Sequence, residues 1–98
     1  MSGSQRSSAG LDDRRRRILF RSWHRGTREM DLIMGRFADA RIDQLSEVQL
    51  DQYEALIELL DGDLFDWLTG VAPIPVEYDT ETWRLLQDFH THMKPLHA

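Results

Sequence analysis

Residues 21–37 read RSWHRGTREMDLIMGRF, and the pattern that begins in the second half of this stretch decides the fold. From Thr27 onward, apolar residues recur at helical spacing and form one stripe: Met30, Ile33, Met34, Phe37 and Ala38. This is the clearest amphipathic pattern in the chain, and it predicts a helix over residues 27–42 with this stripe in the core. Gly35 interrupts the stripe, costs about 1 kcal/mol of helix propensity relative to Ala, and leaves room for a neighbouring helix to pack closely.

The centre of the stretch, Arg25-Gly26-Thr27-Arg28-Glu29, lies where one helical pattern stops and the next begins. Glycine adopts the positive φ that ends a helix, so Gly26 is expected just past the end of a first helix. Arg25 then falls in the last turn of that helix and Glu29 at the third position of the second, where each charge meets the complementary end of a helix dipole. Helix-end chemistry thus explains three residues, but it leaves three neighbours without a role: Trp23, His24 and Arg28.

The first helix is predicted from about Leu11 to Arg25, with Asp12 and Asp13 near its start. Three apolar residues are expected on its inner face: Leu19, Phe20 and Trp23. Because Trp23 lies one turn from the helix end, we expect it to be half buried in the core and half in an interface, where tryptophan is enriched.

A third helix opens with a capping box, Ser46-x-x-Gln49, and is expected to stop at Asp61-Gly62. A short fourth helix is expected to have Asp63 as its N-cap and to end at Gly70. Apolar spacing predicts the inner faces of both helices: Tyr53, Leu56, Ile57 and Leu60 in the third, and Leu64, Phe65, Trp67 and Leu68 in the fourth.

The segment Ala72-Pro73-Ile74-Pro75 is predicted to be extended, because each proline fixes its own φ and biases the preceding residue away from helix. A last helix starts at Asp79 or Thr80, ends at Pro95, and has a core face of Leu85, Leu86, Phe89 and Met93. No strand alternation, repeat or long linker occurs. The expected fold is all-α, a compact single-domain bundle of five short helices over residues 11–94, between a disordered N-terminal tail (1–10) and a C-terminal tail (95–98).

Composition removes several classes of function. The 98 residues allow one core and include no cysteine, which excludes disulfides, zinc thiolate sites and thiol nucleophiles. No apolar run approaches the roughly 20 residues of a membrane span, and the polar opening MSGSQRSSAG lacks the apolar region of a secretory signal. No phosphate loop or nucleophile motif occurs, and His90 and His92 face different sides of a helix. We therefore expect no catalytic residue and no metal site, and we predict that the chain is not an enzyme.

Charge is distributed unevenly along the chain. Residues 1–28 carry eight Arg and two Asp, whereas residues 29–98 carry four basic and fifteen acidic groups. The densest run, Arg14 to Arg17, fits a solvated helix start, a nucleic-acid or membrane patch, or a surface for an acidic partner. The acidic remainder would repel phosphate, and too few bulky apolar residues accompany the run for a membrane helix. The favoured interpretation is a solvated face that also steers a protein partner.

The string Trp23-x-Arg25-Gly26-x-x-Glu29-x-Asp31, followed by Phe37, resembles the signature of the FAD assembly factor SdhE family, also called succinate dehydrogenase assembly factor 2. The resemblance covers about Arg14 to Met93 and continues in order through Leu45-Ser46, Tyr53 to Leu60, Asp63-Leu64-Phe65-x-Trp67-Leu68, a proline-containing loop and a last helix. One departure is His24, where many members of the family carry a second Arg or Lys.

The resemblance implies a helical assembly factor that binds the flavoprotein subunit of succinate dehydrogenase, and in bacteria also that of fumarate reductase. Such a factor promotes covalent attachment of FAD to a histidine of that subunit, so FAD resides on the partner and this chain has no cofactor of its own. Carried onto this sequence, the resemblance implies a partner-binding surface of Arg25, Gly26 and Glu29, with a rim of Trp23, His24, Arg28 and Asp31.

We further expect a chain that binds no nucleic acid, does not insert into membranes and is monomeric when free. Its location is expected to be the bacterial cytoplasm, or the mitochondrial matrix if the source is eukaryotic. If the motif binds a partner, Gly26→Arg should abolish that function at nearly unchanged stability. The alternative is an antitoxin-like or general interaction adaptor that uses its basic first helix, in which case Arg14 to Arg17 matter more than Glu29.

Overall fold

The computed structural model describes residues 9–92, except for the side chain of His92. Within this range the regular structure is helical: α1 Asp13–Trp23, α2 Arg28–Arg41, α3 Glu47–Ile57, α4 Asp61–Leu68, a 3-10 helix Val76–Tyr78, and α5 Glu81–His92. The predicted all-α class with five helices is confirmed. Four expectations lie outside the described residues: most of the N-terminal tail, the C-terminal tail, the core role of Met93 and the helix end at Pro95.

The chain separates into two compact units, one ending at Leu45 and the other beginning at Ser46. The first contains α1 and α2, and the second contains α3, α4 and α5. The prediction of one domain over residues 11–94 stays a prediction. Across residues 9–92, no helix combines the length and the apolar character needed to cross a bilayer.

Helix α1 begins after an N-cap at Asp12, whose Oδ1 accepts a hydrogen bond from the Arg15 backbone N–H at 2.8 Å. The buried residues of α1 are Ile18, Leu19, Ser22 and Trp23. Ser22 is polar, but its hydroxyl donates to the Ile18 carbonyl at 2.8 Å, so its burial leaves no unpaired group. The expectation that Phe20 faces inward is wrong, because 63% of its surface is exposed.

Helix α2 has the buried face that its apolar stripe predicts. All five stripe residues, Met30, Ile33, Met34, Phe37 and Ala38, are buried. Gly35 is buried on the same face, and a Cβ built there would lie 2.5 Å from Cε2 and 2.6 Å from Cε3 of Trp23. The predicted close packing at this glycine is thus confirmed, and the neighbour is the Trp23 indole of α1.

Helix α3 has the predicted capping box, since Ser46 Oγ accepts from the Gln49 N–H and Gln49 Oε1 accepts from the Ser46 N–H. It ends at Ile57 rather than at residue 61, and Leu60, predicted to be buried, is 75% exposed. Helix α4 starts at Asp61 after Leu60, which makes no side-chain cap, so the prediction of Asp63 as N-cap is wrong.

The inner faces of α4 and α5 are narrower than their apolar patterns predict. Leu64 and Leu68 are buried, whereas Phe65 is exposed and Trp67 is half-buried. In α5, Leu86 is buried as predicted, but Leu85 is exposed and Trp83 is buried in its place. The half-buried Trp67 ring lies 5.7 Å from Tyr78 and 6.3 Å from Trp83, measured between ring centroids.

Two boundaries in this unit agree with expectation. Gly70 has a positive φ of 81° directly after the C-cap of α4. Thr80 precedes α5, and its Oγ1 accepts from the Trp83 backbone N–H at 3.2 Å, as an N-cap residue does.

Candidate functional site

The junction between α1 and α2 is a four-residue connection, residues 24–27, centred on a backbone that only glycine adopts easily. Gly26 has φ of 118°, a value that a side chain would strain. Helix α1 ends at Trp23 with His24 as its C-cap, so Arg25 lies in the connection and not in the last helical turn as predicted. The junction thus turns the chain at Gly26 and places Arg25 beside the turn.

Thr27 and Asp31 accept the side-chain hydrogen bonds that shape the junction where α2 begins. Thr27 is the N-cap, and its Oγ1 accepts from the Met30 backbone N–H at 3.2 Å. Asp31 Oδ1 accepts from the Arg25 backbone N–H at 2.5 Å, which links the first turn of α2 back to the connection. Glu29 occupies the second helical position, so the expectation that it sits third and reaches back to a free N–H is wrong.

Arg25 is half-buried at the junction, and the residues around it face solvent: His24, Gly26, Thr27, Arg28 and Glu29. Over residues 9–92, the Glu29 carboxylate makes no hydrogen bond and no ion pair. The same carboxylate lies where the helix dipole favours negative charge, an effect worth about 0.3–1 kcal/mol. The turn is therefore complete without a contact from Glu29, which leaves its oxygens available to another molecule.

Trp23 supports the junction from inside. Its side chain is only 4% exposed, so the expectation of a half-exposed interface residue is wrong. The indole N–H donates to Asp39 Oδ1 of α2 at 3.0 Å, and the ring occupies the space above Gly35. Trp23 consequently fixes α1 against α2 and offers almost no surface to a partner.

His24 is exposed, as a rim residue of the predicted surface should be. Its ring stacks on Phe20, with ring centroids 3.9 Å apart and planes inclined by 16°. His24 Nδ1 lies 2.7 Å from the Phe20 carbonyl oxygen. Phe20 was not among the predicted site residues, because its place between Leu19 and Trp23 suggested a core position.

The arginine run Arg14 to Arg17 does not act as one surface. Arg15 donates from Nε to the Ile42 carbonyl at 2.9 Å and from Nη2 to the Leu45 carbonyl at 2.6 Å. These bonds tie the start of α1 to the chain that follows α2, so Arg15 has a structural role. Arg16 pairs with Asp13, and Arg17 is exposed.

Asp12 and His90, within the part of the chain that the structure describes, have displaced pKa values, and neither is a residue of the junction. The hydrogen bond from the Arg15 backbone N–H, together with the nearby arginine charges, lowers the pKa of Asp12 from its ordinary value. Burial lowers the pKa of His90 by disfavouring its charged form. In the part of the chain that the structure describes, no three His, Cys, Asp or Glu side chains lie close enough together to hold a metal ion.

Within residues 9–92, the junction of α1 and α2 carries an exposed carboxylate, a turn at a glycine and an aromatic stack, a set of groups that another protein can contact. Comparison with known proteins defines the chain further. The chain belongs to the family described as flavinator of succinate dehydrogenase, whose model matches residues 16–90. All the residues of the junction lie within that match.

Individual relatives carry names that agree with this family. The chain is 42% identical over 85 residues to succinate dehydrogenase assembly factor 2-B, mitochondrial, of Drosophila ananassae, covering 85% of this chain and 52% of the relative. It is 37% identical over 86 residues to succinate dehydrogenase assembly factor 2, mitochondrial, of Dictyostelium discoideum, covering 88% and 60%. It is 42% identical over 74 residues to FAD assembly factor SdhE of Acetobacter pasteurianus, covering 76% and 68%. The chain thus spans little more than half the length of these mitochondrial relatives.

Proposed function

We propose that this chain binds the flavoprotein subunit of succinate dehydrogenase and promotes covalent attachment of FAD to that subunit. Membership of the flavinator family and the names of the relatives support the partner and the process. The observation that carries the proposal to particular residues is the exposed Glu29 carboxylate, at a turn whose backbone N–H groups donate to Thr27 and Asp31 instead.

The proposed mechanism is orientation of the partner. Gly26 has no side chain, so the partner backbone can approach the turn closely. Arg25 and Glu29 supply opposite charges on either side of it, and both can form charge-assisted hydrogen bonds across the interface. Holding the flavoprotein with its histidine aligned to the flavin lowers the entropic part of the barrier, while the bond-forming chemistry belongs to FAD and the partner.

Several finer properties complete the proposal. The chain acts without catalytic groups of its own, holds no FAD when free, and is monomeric until it meets the flavoprotein. The same surface serves the flavoprotein subunit of fumarate reductase where that enzyme is present. Relatives from eukaryotes are named mitochondrial, and we propose the bacterial cytoplasm, or the mitochondrial matrix in a eukaryote, as the compartment.

The roles proposed for the other rim residues follow from their positions. Arg28 and His24 are exposed beside the turn and are proposed to contact the partner directly. Asp31 and Trp23 are proposed to act indirectly, since Asp31 holds the Arg25 backbone and Trp23 holds α1 against α2. Removing either of these two would disturb the shape of the surface and the stability of the fold together.

The rival proposal is an adaptor that uses the basic first helix. It loses some of its support because Arg15 is engaged with backbone carbonyls and Arg16 with Asp13. It still predicts that loss of an exposed arginine in α1 is more damaging than loss of Glu29. Arg16→Ala tests this rival more cleanly than Arg15→Ala, which would also weaken the fold.

The experiment measures covalent flavin fluorescence of the denatured flavoprotein subunit from cells that lack this gene. The strain is rescued with wild type, Glu29→Ala, Asp63→Ala or Arg16→Ala. Asp63 is the matched control, because it is also an exposed carboxylate in the first turn of a helix and its loss removes the same dipole interaction.

We expect Glu29→Ala to restore less than about a tenth of the wild-type fluorescence, which corresponds to losing about 1.4 kcal/mol or more at the interface. Asp63→Ala and Arg16→Ala should restore it fully. Equal fluorescence in all strains, including the unrescued one, would refute the flavinylation role. A defect in Arg16→Ala with normal Glu29→Ala would keep the flavinylation role but move the contact surface from the motif to the basic first helix. Gly26→Arg is unsuitable here, because φ of 118° makes a side chain at this position strain the backbone itself.

A further inference from the structure

Phe20 is the most exposed aromatic side chain in residues 9–92, with 63% of its surface accessible. It lies on α1 beside the buried face that packs this helix against α2, but outside that face. A phenylalanine ring in this position contributes little to the core. Its apolar surface is therefore available to a partner, as aromatic residues at interfaces are.

The Phe20 ring is held in place by His24, one helical turn further on. The two rings stack at 3.9 Å, and His24 Nδ1 lies 2.7 Å from the Phe20 carbonyl oxygen. Because a carbonyl oxygen only accepts, Nδ1 must carry the hydrogen, which leaves Nε2 pointing away from that bond. Two side chains that are already ordered lose little rotamer freedom when a partner binds them.

Arg17 completes this face of α1. It lies three residues before Phe20, as His24 lies four residues after it, so all three side chains project from the same side of the helix. Arg17 is exposed. The set Arg17, Phe20 and His24, here called the α1 aromatic face, offers a cation, a flat apolar surface and a ring nitrogen in a row.

The α1 aromatic face is continuous with the junction. His24 is both its last member and the C-cap of α1, directly before Arg25 and Gly26. A protein that contacts the exposed turn at Gly26 and Glu29 would have to extend by only about one to two helical turns, or roughly 5–10 Å, to reach Phe20 and Arg17. An interface of ordinary size spans more than this distance.

We propose that the α1 aromatic face is a second contact surface for the flavoprotein subunit. It receives an apolar side chain on Phe20, a carboxylate at Arg17 and a polar group at Nε2 of His24. The proposal rests on the proposed function, since the occupant is the same partner. It adds an anchor that the motif at residues 25–29 lacks, namely a large apolar side chain of the kind that dominates binding energy in protein interfaces.

A second copy of this chain is a less suitable occupant. In a symmetric pair the same face meets itself, which would bring two Arg17 side chains and two cationic units together. Residues 1–45 carry ten basic and six acidic groups. A partner with carboxylates around an apolar side chain satisfies both the charge and the ring.

The test measures affinity of the purified full chain for the FAD-loaded flavoprotein subunit by isothermal titration. The variants are Phe20→Ala, Phe20→Tyr and Val48→Ala, with Glu29→Ala in parallel. Val48 is the matched control, because it is an apolar helix residue with the same 63% exposure. We expect Phe20→Ala to weaken binding at least tenfold, whereas Phe20→Tyr, which keeps the stacked ring, and Val48→Ala should bind within about threefold of wild type.

A second measurement observes the Phe20 ring directly instead of removing it, and uses a variant only to assign the signal. The four phenylalanines are replaced by 4-fluorophenylalanine, and the Phe20 signal is assigned by its loss in Phe20→Tyr. A solvent-exposed fluorine shifts between H2O and D2O. We expect the Phe20 signal to lose this isotope shift when the flavoprotein subunit is added and to be unaffected by raising the concentration of this chain alone.

The outcomes separate the two proposals. If wild type does not bind the flavoprotein subunit, the proposed function fails and this inference fails with it. If wild type binds and Glu29→Ala does not, while Phe20→Ala binds normally and the Phe20 fluorine keeps its isotope shift in the complex, only the α1 aromatic face is refuted. Loss of the isotope shift on self-concentration would assign the face to a second copy instead.

Discussion

Glu29 and Asp31 lie two residues apart in the first turn of α2 and have different structural roles. Asp31 accepts a hydrogen bond from the Arg25 backbone, so its carboxylate is part of the turn. Glu29 is exposed and makes no such contact within the described residues. Both carboxylates benefit from the helix dipole, but only Glu29 can give its oxygens to a partner without releasing a bond of the fold.

Gly35 and Gly62 allow a matched prediction at the scale of single residues. Gly35→Ala would place a methyl group against the Trp23 indole, where Cε2 is 2.5 Å away, whereas a Cβ at Gly62 meets nothing within 4 Å. Overpacking of this kind costs about 1–3 kcal/mol, more than the roughly 1 kcal/mol that Ala gains over Gly in a helix. We expect Gly35→Ala to lower the free energy of unfolding and Gly62→Ala to raise it by a few tenths to about 1 kcal/mol.

Urea unfolding followed by circular dichroism measures both variants. In a thermal melt of the same variants, a loss of 1 kcal/mol in the free energy of unfolding lowers Tm by about 4–8 °C for a chain near this length. If Gly35→Ala were as stable as wild type, the indole would have to move aside at little cost. Trp23 would then not hold α1 against α2 in the way its hydrogen bond to Asp39 and its burial indicate.

At the scale of elements, α1 is fastened to the end of α2 by one side chain. Arg15 donates to the carbonyls of Ile42 and Leu45, and hydrogen bonds from a charged donor each contribute about 1.5–3 kcal/mol. Its side chain is only 18% exposed, so solvent screens these bonds weakly. We expect Arg15→Ala to lower the free energy of unfolding by about 2 kcal/mol or more.

Arg16→Ala is the control for Arg15→Ala. Arg16 has the same side chain one position along and pairs with Asp13, but both partners are well exposed. Exposed pairs contribute about 0–1 kcal/mol, so Arg16→Ala should change the unfolding midpoint in urea only slightly. Equal midpoints for the two variants would mean that Arg15 behaves as one more solvated arginine of the run.

Helix α1 also shows how far the sequence could predict the site. Two stripes are compatible with its apolar residues: one through Leu19, Phe20 and Trp23, and one through Ile18, Leu19, Ser22 and Trp23. The second is buried because the Ser22 hydroxyl bonds to the Ile18 carbonyl and can therefore enter the core. A pattern of apolar residues cannot reveal this, since it counts serine as polar.

The position of the turn was predicted, because Gly26 is read directly from the sequence. The end of α1 at Trp23, the burial of the Trp23 indole and the roles of the side chains that follow Gly26 were not. Thr27, Glu29 and Asp31 can all accept backbone hydrogen bonds here, and only the backbone geometry around Gly26 decides that Thr27 caps α2 while Asp31 reaches the Arg25 N–H. The end of α3 was predicted too late for a different reason. Leu59 and Leu60 continue the apolar pattern, although the helix ends at Ile57.

At the scale of the whole molecule, the two units differ strongly in charge. Residues 1–45 carry ten basic and six acidic groups, a balance of +4, and residues 46–98 carry two basic and eleven acidic groups, a balance of −9. The junction and the α1 aromatic face both belong to the basic unit. A partner with an acidic surface is attracted to the basic unit and repelled by the acidic unit. These two effects steer it toward the junction and the α1 aromatic face.

The last prediction concerns the rate of association with the flavoprotein subunit, measured by stopped flow. Raising NaCl from about 50 to 500 mM shortens the screening length from roughly 14 to 4 Å, so the association rate constant should fall about tenfold while the dissociation rate changes less. Salt dependence alone does not tell which unit meets the partner, because either charge would be screened. Arg17→Ala should slow association, whereas Asp63→Asn and Asp66→Asn, which remove charge from the acidic unit, should leave it unchanged or speed it. If the two Asp variants slowed association instead, the acidic unit would face the partner, and the contact surface assigned to residues 17–29 would be wrong.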